Sequence, residues 1–294
     1  MQAKGENTIN TTYVYRKHLR QPRKIFLAGV GVFIVFVILL SAGLLLTESE
    51  PLDLGFVGVF AAVMFFVAVL ITLELLLINA VFLRRFKYIS VTLEEQGIIY
   101  TNSKEQIFIP YEDISRIQFP SIKYAGGWVK IVYGNGNENI RLTVVLENIG
   151  DFMSKLKQKL DERNKMDVYN EKKYFSFYKT GVFADESWDR VYGNIGSLTV
   201  TCLTCVVITI VALFSQKGFE YNKILIYASF LVPIIGYAIA EILIGFQVHK
   251  RVVTEFYQLL PRNKEFEKKA FMIGNFGMAS IYLIILILIN VAVY

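Results

Sequence analysis

Five long apolar runs divide the chain: roughly Ile25–Leu46, Gly55–Leu83, Ile195–Ser215, Ile224–Phe246 and Ile273–Tyr294. A helix crosses a bilayer with about 20 apolar residues, so each run predicts a membrane span. The first is too long, and too far from the start, for a cleaved signal peptide. Between the second and third runs the period changes. "ISVTL" alternates Ile89, Val91 and Leu93 with Ser90 and Thr92, and "NIRLTVVL" alternates Ile140, Leu142 and Val144 with Asn139, Arg141 and Thr143. Alternation of this kind predicts half-buried antiparallel strands. "GIIY", "QIFIPY", "ISRIQF" and "WVKIVY" add shorter ones, separated by turn residues such as Gln96-Gly97, Asn102-Ser103, Pro120-Ser121, Gly126-Gly127 and Gly134-Asn135-Gly136-Asn137. The strands give way to an amphipathic helix. Asn148 is its expected N-cap, Asp151 sits in its first turn, and Ile149, Phe152, Met153, Leu156 and Leu160 form its apolar face.

Charge orients the spans. Lys4, Arg16, Lys17, Arg20, Arg23 and Lys24 precede the first run, whereas the next loop, "TESEPLDL", carries only Glu48, Glu50 and Asp53. Residues 84–193 are again basic, the loop after the third span holds Lys217 and Lys223, and residues 247–271 carry Lys250, Arg251, Arg262, Lys264, Lys268 and Lys269. Basic and non-basic segments therefore alternate at each predicted crossing. The N-terminus, the central region and the 247–271 loop are expected in the cytoplasm and the C-terminus outside. Hydrophobic residues make up 54% of the chain and charged ones 19%, with a net charge of +6. A mean hydropathy of +0.44 points to the membrane class. Two histidines, His18 and His249, leave little room for metal or triad chemistry.

A membrane hairpin running into "YISVTLEEQGIIY", then "IFIPYEDISRI", then a closing "ENIGDFMSKLKQKL" helix resembles the bacterial PH-like domains attached to membrane hairpins. The resemblance covers residues 70–163, with Tyr111 where those proteins often have Trp. It implies a β-barrel closed by a C-terminal helix and a role in docking lipid or protein. Phosphoinositide-binding members carry Lys and Arg at the first hairpin. Here Glu94, Glu95 and Gln96 stand there, which argues against an inositol-phosphate pocket.

Two acids lie inside apolar runs, Glu74 and Glu241, at similar distances before Arg84 and Lys250. An intramembrane carboxylate is costly and faces a bundle interior, so both are candidates for proton or ion work, with Asn79, Thr72 and Tyr237 as possible ligands. A structural role in helix contacts is the alternative. Gly236 and Ala240 favour close packing beside Glu241, and Pro233 frees a carbonyl one turn earlier. Cys202 and Cys205 form a C-x-x-C with nothing to lower a thiol pKa. "GNGNE" lacks the Lys-Ser/Thr of a phosphate loop and reads as a hairpin turn. Lys172, Lys173 and Lys179 interleave with Tyr174, Phe175, Phe177, Tyr178, Phe183 and Trp188 just before a span. That mixture is expected at the membrane interface, as are Arg16, Lys17, Arg20, Arg23 and Lys24, which suit anionic headgroups.

The expected fold class is mixed: a polytopic α-helical membrane protein of five spans with a cytoplasmic PH-like β-barrel capped by one helix. Its predicted parts are a basic tail (1–24), a hairpin (25–87), the PH-like domain (88–163), an aromatic-basic linker (164–193) and a three-span region (194–294) with a cytoplasmic loop at 247–271. The expected function is non-enzymatic: a scaffold or regulator of a membrane assembly or envelope response in the cytoplasmic (inner) membrane. The alternative is a transporter or channel component using Glu74 and Glu241. No cofactor, metal or nucleic acid is expected. The expected partners are the lipid bilayer and other membrane or cytoplasmic proteins, with association of a second copy left open.

Overall fold

The computed structural model describes residues 11–46, 54–78, 80, 83–214, 222–251 and 262–293. In chain order its elements are β1 (Thr11–Val14), α1 (Lys17–Arg20), α2 (Pro22–Leu46), α3 (Leu54–Ile78), α4 (Arg84–Phe86), β2 (Ser90–Leu93), β3 (Gly97–Thr101), β4 (Gln106–Pro110) and β5 (Arg116–Gln118). There follow β6 (Ser121–Ile122), β7 (Gly126–Tyr133), β8 (Glu138–Thr143), α5 (Ile149–Asp161), α6 (Glu171–Phe214), α7 (Asn222–Arg251), α8 (Lys264–Phe271) and α9 (Met278–Val293). A π-helical stretch, Met272–Gly277, joins α8 to α9. The described residues fall into two units: one within Met1–Pro22, Ile78–Asp189 and His249–Leu260, the other within Arg23–Leu77, Arg190–Val248 and Pro261–Tyr294.

The first unit holds two antiparallel sheets. One has the order β1-β2-β3-β4; in the other, β5, β6 and β8 all pair with β7. Inward residues of both meet the apolar face of α5: Val91, Ile98, Ile109, Val129, Ile131 and Leu142 are buried, as are Phe152, Met153, Leu156 and Leu160. Tyr13 of β1 sets its ring edge-on to Phe152 at 5.3 Å. The strands lie where alternation places them, but the expected closed barrel does not form. A closed barrel needs every strand edge paired. Among the described residues β4 and β5 share no ladder, because the 3₁₀ turn Tyr111–Asp113 parts them. At the other corner the described residues join the sheets through an isolated bridge, Tyr15 to Leu146, and the bond from Glu147 N to the Val14 carbonyl at 2.9 Å.

The cap of α5 also differs from expectation. Asn148 adopts φ 57°, whereas a capping residue needs extended backbone, and its side chain makes no cap. Asp185 of α6 does the work instead, accepting from Gly150 N at 2.9 Å and Ile149 N at 3.3 Å.

Among the described residues three helices, not five, are long and apolar enough to cross a membrane: Glu171–Leu213, Ile224–Arg251 and Lys264–Ile289. Within α2 and α3 the described residues include the apolar stretches Leu27–Leu39 and Phe65–Ile78, which do not add to these three. Leu213, Ile226, Tyr282 and Leu286 form a buried cluster of α6, α7 and α9.

Candidate functional site

Glu241 sits in the middle of an apolar helix, and the cost of a lone carboxylate there demands a partner. The partner is Arg190 of α6. Its Nε reaches Glu241 Oε1 at 3.1 Å and Oε2 at 3.3 Å, and its Nη2 reaches Oε2 at 2.8 Å. Tyr237, one turn earlier on α7, donates its hydroxyl to Glu241 Oε1 at 3.4 Å, and its ring lies against Phe271 at 4.9 Å. A second acid completes the group. Glu267 of α8 lies 3.8 Å from Arg190 Nη1 and receives Arg262 Nε on both oxygens, at 2.8 and 3.0 Å. Asn263 caps α8 by accepting from Phe266 N at 3.0 Å, which fixes the first turn that carries Glu267.

Arg190 is only 2% exposed and Glu267 8%, so this is a buried charge cluster. The charges of two guanidinium groups and two carboxylates balance. Bidentate Arg–carboxylate geometry is the form in which such charges tolerate burial.

The backbone beside the cluster is unusually close. A Cβ on Gly236 would fall 1.8 Å from the Gly274 carbonyl oxygen, and one on Gly274 would fall 2.4 Å from that of Gly236. Gly274 lies in the π-helical stretch, whose wider turn accompanies the approach. Further along, Asn275 Nδ2 donates to Thr201 Oγ1 at 3.4 Å, and Tyr282 donates to the Leu225 carbonyl at 2.7 Å. Cys202 and Cys205 are buried free thiols on α6. Among the described residues no three His, Cys, Asp or Glu side chains gather as a metal site would require.

Glu74 lies exposed on α3 and takes no part in the interactions described for Glu241. Thr72 bonds back to the Ala68 carbonyl at 2.7 Å. Asn79 lies outside the described residues, as do the side chains of Arg23 and Lys24. Of the residues expected at a membrane interface, Lys17, Lys172 and Lys173 are exposed. Arg20 donates to the Tyr15 carbonyl at 2.6 Å, and Trp188 stacks on His18 at 4.3 Å. The others turn inward. Tyr174 and Phe177 are fully buried, with Tyr174 donating to the Met153 carbonyl at 2.6 Å and both rings meeting Phe119. Arg16 is buried on Asp185 at 2.5 Å. These rings and this guanidinium find protein partners, which satisfy them as well as headgroups would.

Arg190, Arg262 and Glu267 were not legible as one site. Each reads along the chain as an ordinary flanking charge; only an arginine directly preceding an apolar run hinted at Arg190. In the first unit, an open groove of about 590 Å³ runs beside β5, lined by Arg116–Pro120, Asp167–Asn170 and Lys173. No protein-family model, curated protein or solved structure matches the chain.

Proposed function

We propose that the chain is a non-enzymatic integral protein of the cytoplasmic membrane, anchored by its three-helix region and docking other proteins through its strand-rich unit. The carrying observation is the bidentate bond between Arg190 and Glu241. A carboxylate that carries protons or ions exchanges partners during its cycle. Glu241 is held by a buried guanidinium, itself backed by Glu267, an arrangement suited to fastening helices. The distribution of Lys and Arg supports a cytoplasmic N-terminus and strand-rich unit. The docked partner is an extended acidic segment of another protein, added along β5. Among the described residues β5 pairs only with β7, and Arg116 and Lys173 outnumber Asp167 in the adjoining groove. The resemblance of residues 70–163 to PH-like modules supports docking and is itself part of the proposal.

Two measurements test this. Full-length protein in proteoliposomes is expected to pass no proton or sodium flux; flux abolished by Glu241→Gln would overturn the anchor reading in favour of transport. A protein recovered with the native chain should be lost when Arg116 and Lys173 are both changed to Glu, and should bind the native chain as a purified component. Unchanged recovery of every partner would remove the docking reading.

A further inference from the structure

The turn between β6 and β7 carries Lys123, Tyr124 and Ala125. Tyr124 has φ 62°, a left-handed conformation that is costly for a bulky side chain and persists only where the surroundings enforce it. Three contacts do so. Its amide donates to Thr180 Oγ1 at 3.2 Å, its ring lies edge-on to Phe183 at 5.6 Å, and its hydroxyl hydrogen-bonds His249 Nδ1. Gly127 behind it, at φ +145°, has no room for a side chain, since a Cβ would fall 2.4 Å from Ser121 Cβ. The turn is a fixed feature rather than a loose tip.

Three basic groups gather on it. Lys123 Nζ lies 5.2 Å from the Tyr124 ring centroid, and Lys179 Nζ lies 4.1 Å from that of Phe175. Lys179 directly precedes Thr180, which holds the Tyr124 amide, and His249 holds the Tyr124 hydroxyl, so both stand beside Lys123 at the turn. Among the described residues no carboxylate pairs with any of the three. Ile122, beside Lys123, is 74% exposed. His249 belongs to the last turn of α7, a helix long and apolar enough to cross a membrane. Clustered positive charge, amphipathic rings and an exposed aliphatic side chain at the end of such a helix match an acidic membrane surface.

We propose that Lys123, Tyr124, Lys179 and His249 form a docking site for the headgroup of an anionic phospholipid, with Ile122 at the headgroup boundary. The inference rests on reading the chain as an integral membrane protein. Full-length protein in mild detergent is mixed with phosphatidylglycerol or phosphatidylcholine, and bound lipids are counted by native mass spectrometry with and without inorganic phosphate. The native chain is expected to retain phosphatidylglycerol over phosphatidylcholine. Changing Lys123 and Lys179 to Glu should lower that retention about tenfold, given what basic groups contribute near a lipid surface. Changing Lys104 and Arg141 to Glu, two exposed residues outside both proposed docking surfaces, should leave it unchanged, as should added phosphate.

Equal retention by both variants and the native chain would overturn the site while leaving the membrane reading intact. So would displacement by phosphate, which would make the ligand a free anion. Failure of the native chain to hold either lipid would count against the membrane reading itself. Lys123→Gln with Lys179→Gln decides the matter if the Glu variant loses its helical circular dichroism.

Discussion

The guanidinium of Arg16 meets the carboxylate of Asp185 at 2.5 Å, joining the residues just after β1 to the first third of α6, 169 positions along the chain. The same carboxylate caps α5 through Ile149 N and Gly150 N. One side chain thus closes a helix terminus and neutralises a buried cation, two tasks that no neighbour in sequence performs.

Replacing Asp185 by Ala should destabilise the first unit by about 3 kcal/mol, because it strands Arg16 and opens the cap together. Asp185→Asn should cost less, since an amide oxygen still accepts from the backbone. Hydrogen exchange at Ile149 and Gly150 is the direct readout. Protection unchanged in Asp185→Ala would contradict the capping role.

In the second unit, Arg190→Ala should be the most damaging change in the charge cluster, costing about 3–5 kcal/mol, because it leaves Glu241 and Glu267 facing each other without their shared cation. Arg262→Ala should cost less, since Arg262 is 22% exposed and water reaches it. Thermal unfolding in detergent orders the two. An Arg262 variant as unstable as the Arg190 variant would refute this ranking.

Glycine substitution separates packing from helix propensity. Gly193 has nothing within 4 Å of an added Cβ, so Gly193→Ala should stabilise α6 by about 0.8 kcal/mol. Gly236→Ala places a methyl group against the Gly274 carbonyl and should destabilise the bundle despite the same gain in propensity. Equal melting temperatures for the two variants would contradict the close approach.

Tyr111 gives the first unit an alkaline limit. Burial pushes its phenol from 10.0 up to about 12, partly offset by Arg163, whose guanidinium lies 4.8 Å from the ring centroid. The unfolded chain releases this proton first. The stabilisation is therefore complete below pH 10 and is lost as the pH rises towards 12. Tyr111→Phe should flatten stability against pH in that window. At neutral pH it should cost about 1 kcal/mol, for the bond to the Glu94 carbonyl at 3.0 Å.

Much of the architecture is written locally. Alternation over "ISVTL" and "NIRLTVVL" marked real strands, and the 149–160 apolar stripe marked α5, because each side chain's face follows from its own backbone period. Glu241 and Tyr237 were legible for a related reason: a carboxylate in an apolar helix demands explanation wherever it lies. Local pattern could not settle which edges pair. Thr11–Val14 joins β2 through a ladder to residues near 90, and a four-residue strand announces no partner. Nor could it settle where the aromatic residues of 172–192 go, since a ring gains from leaving water whether lipid or protein receives it.

The sequence by itself determined that the chain has strands in its middle, apolar helices on both sides and an acid needing a partner. Tertiary structure alone decided that Arg190 is that partner, that Asp185 caps α5 and that β4 and β5 stay apart. Hydrophobic periodicity is a property of neighbours along a chain. Ion pairs, caps and sheet edges depend on distances between segments that only the folded backbone sets.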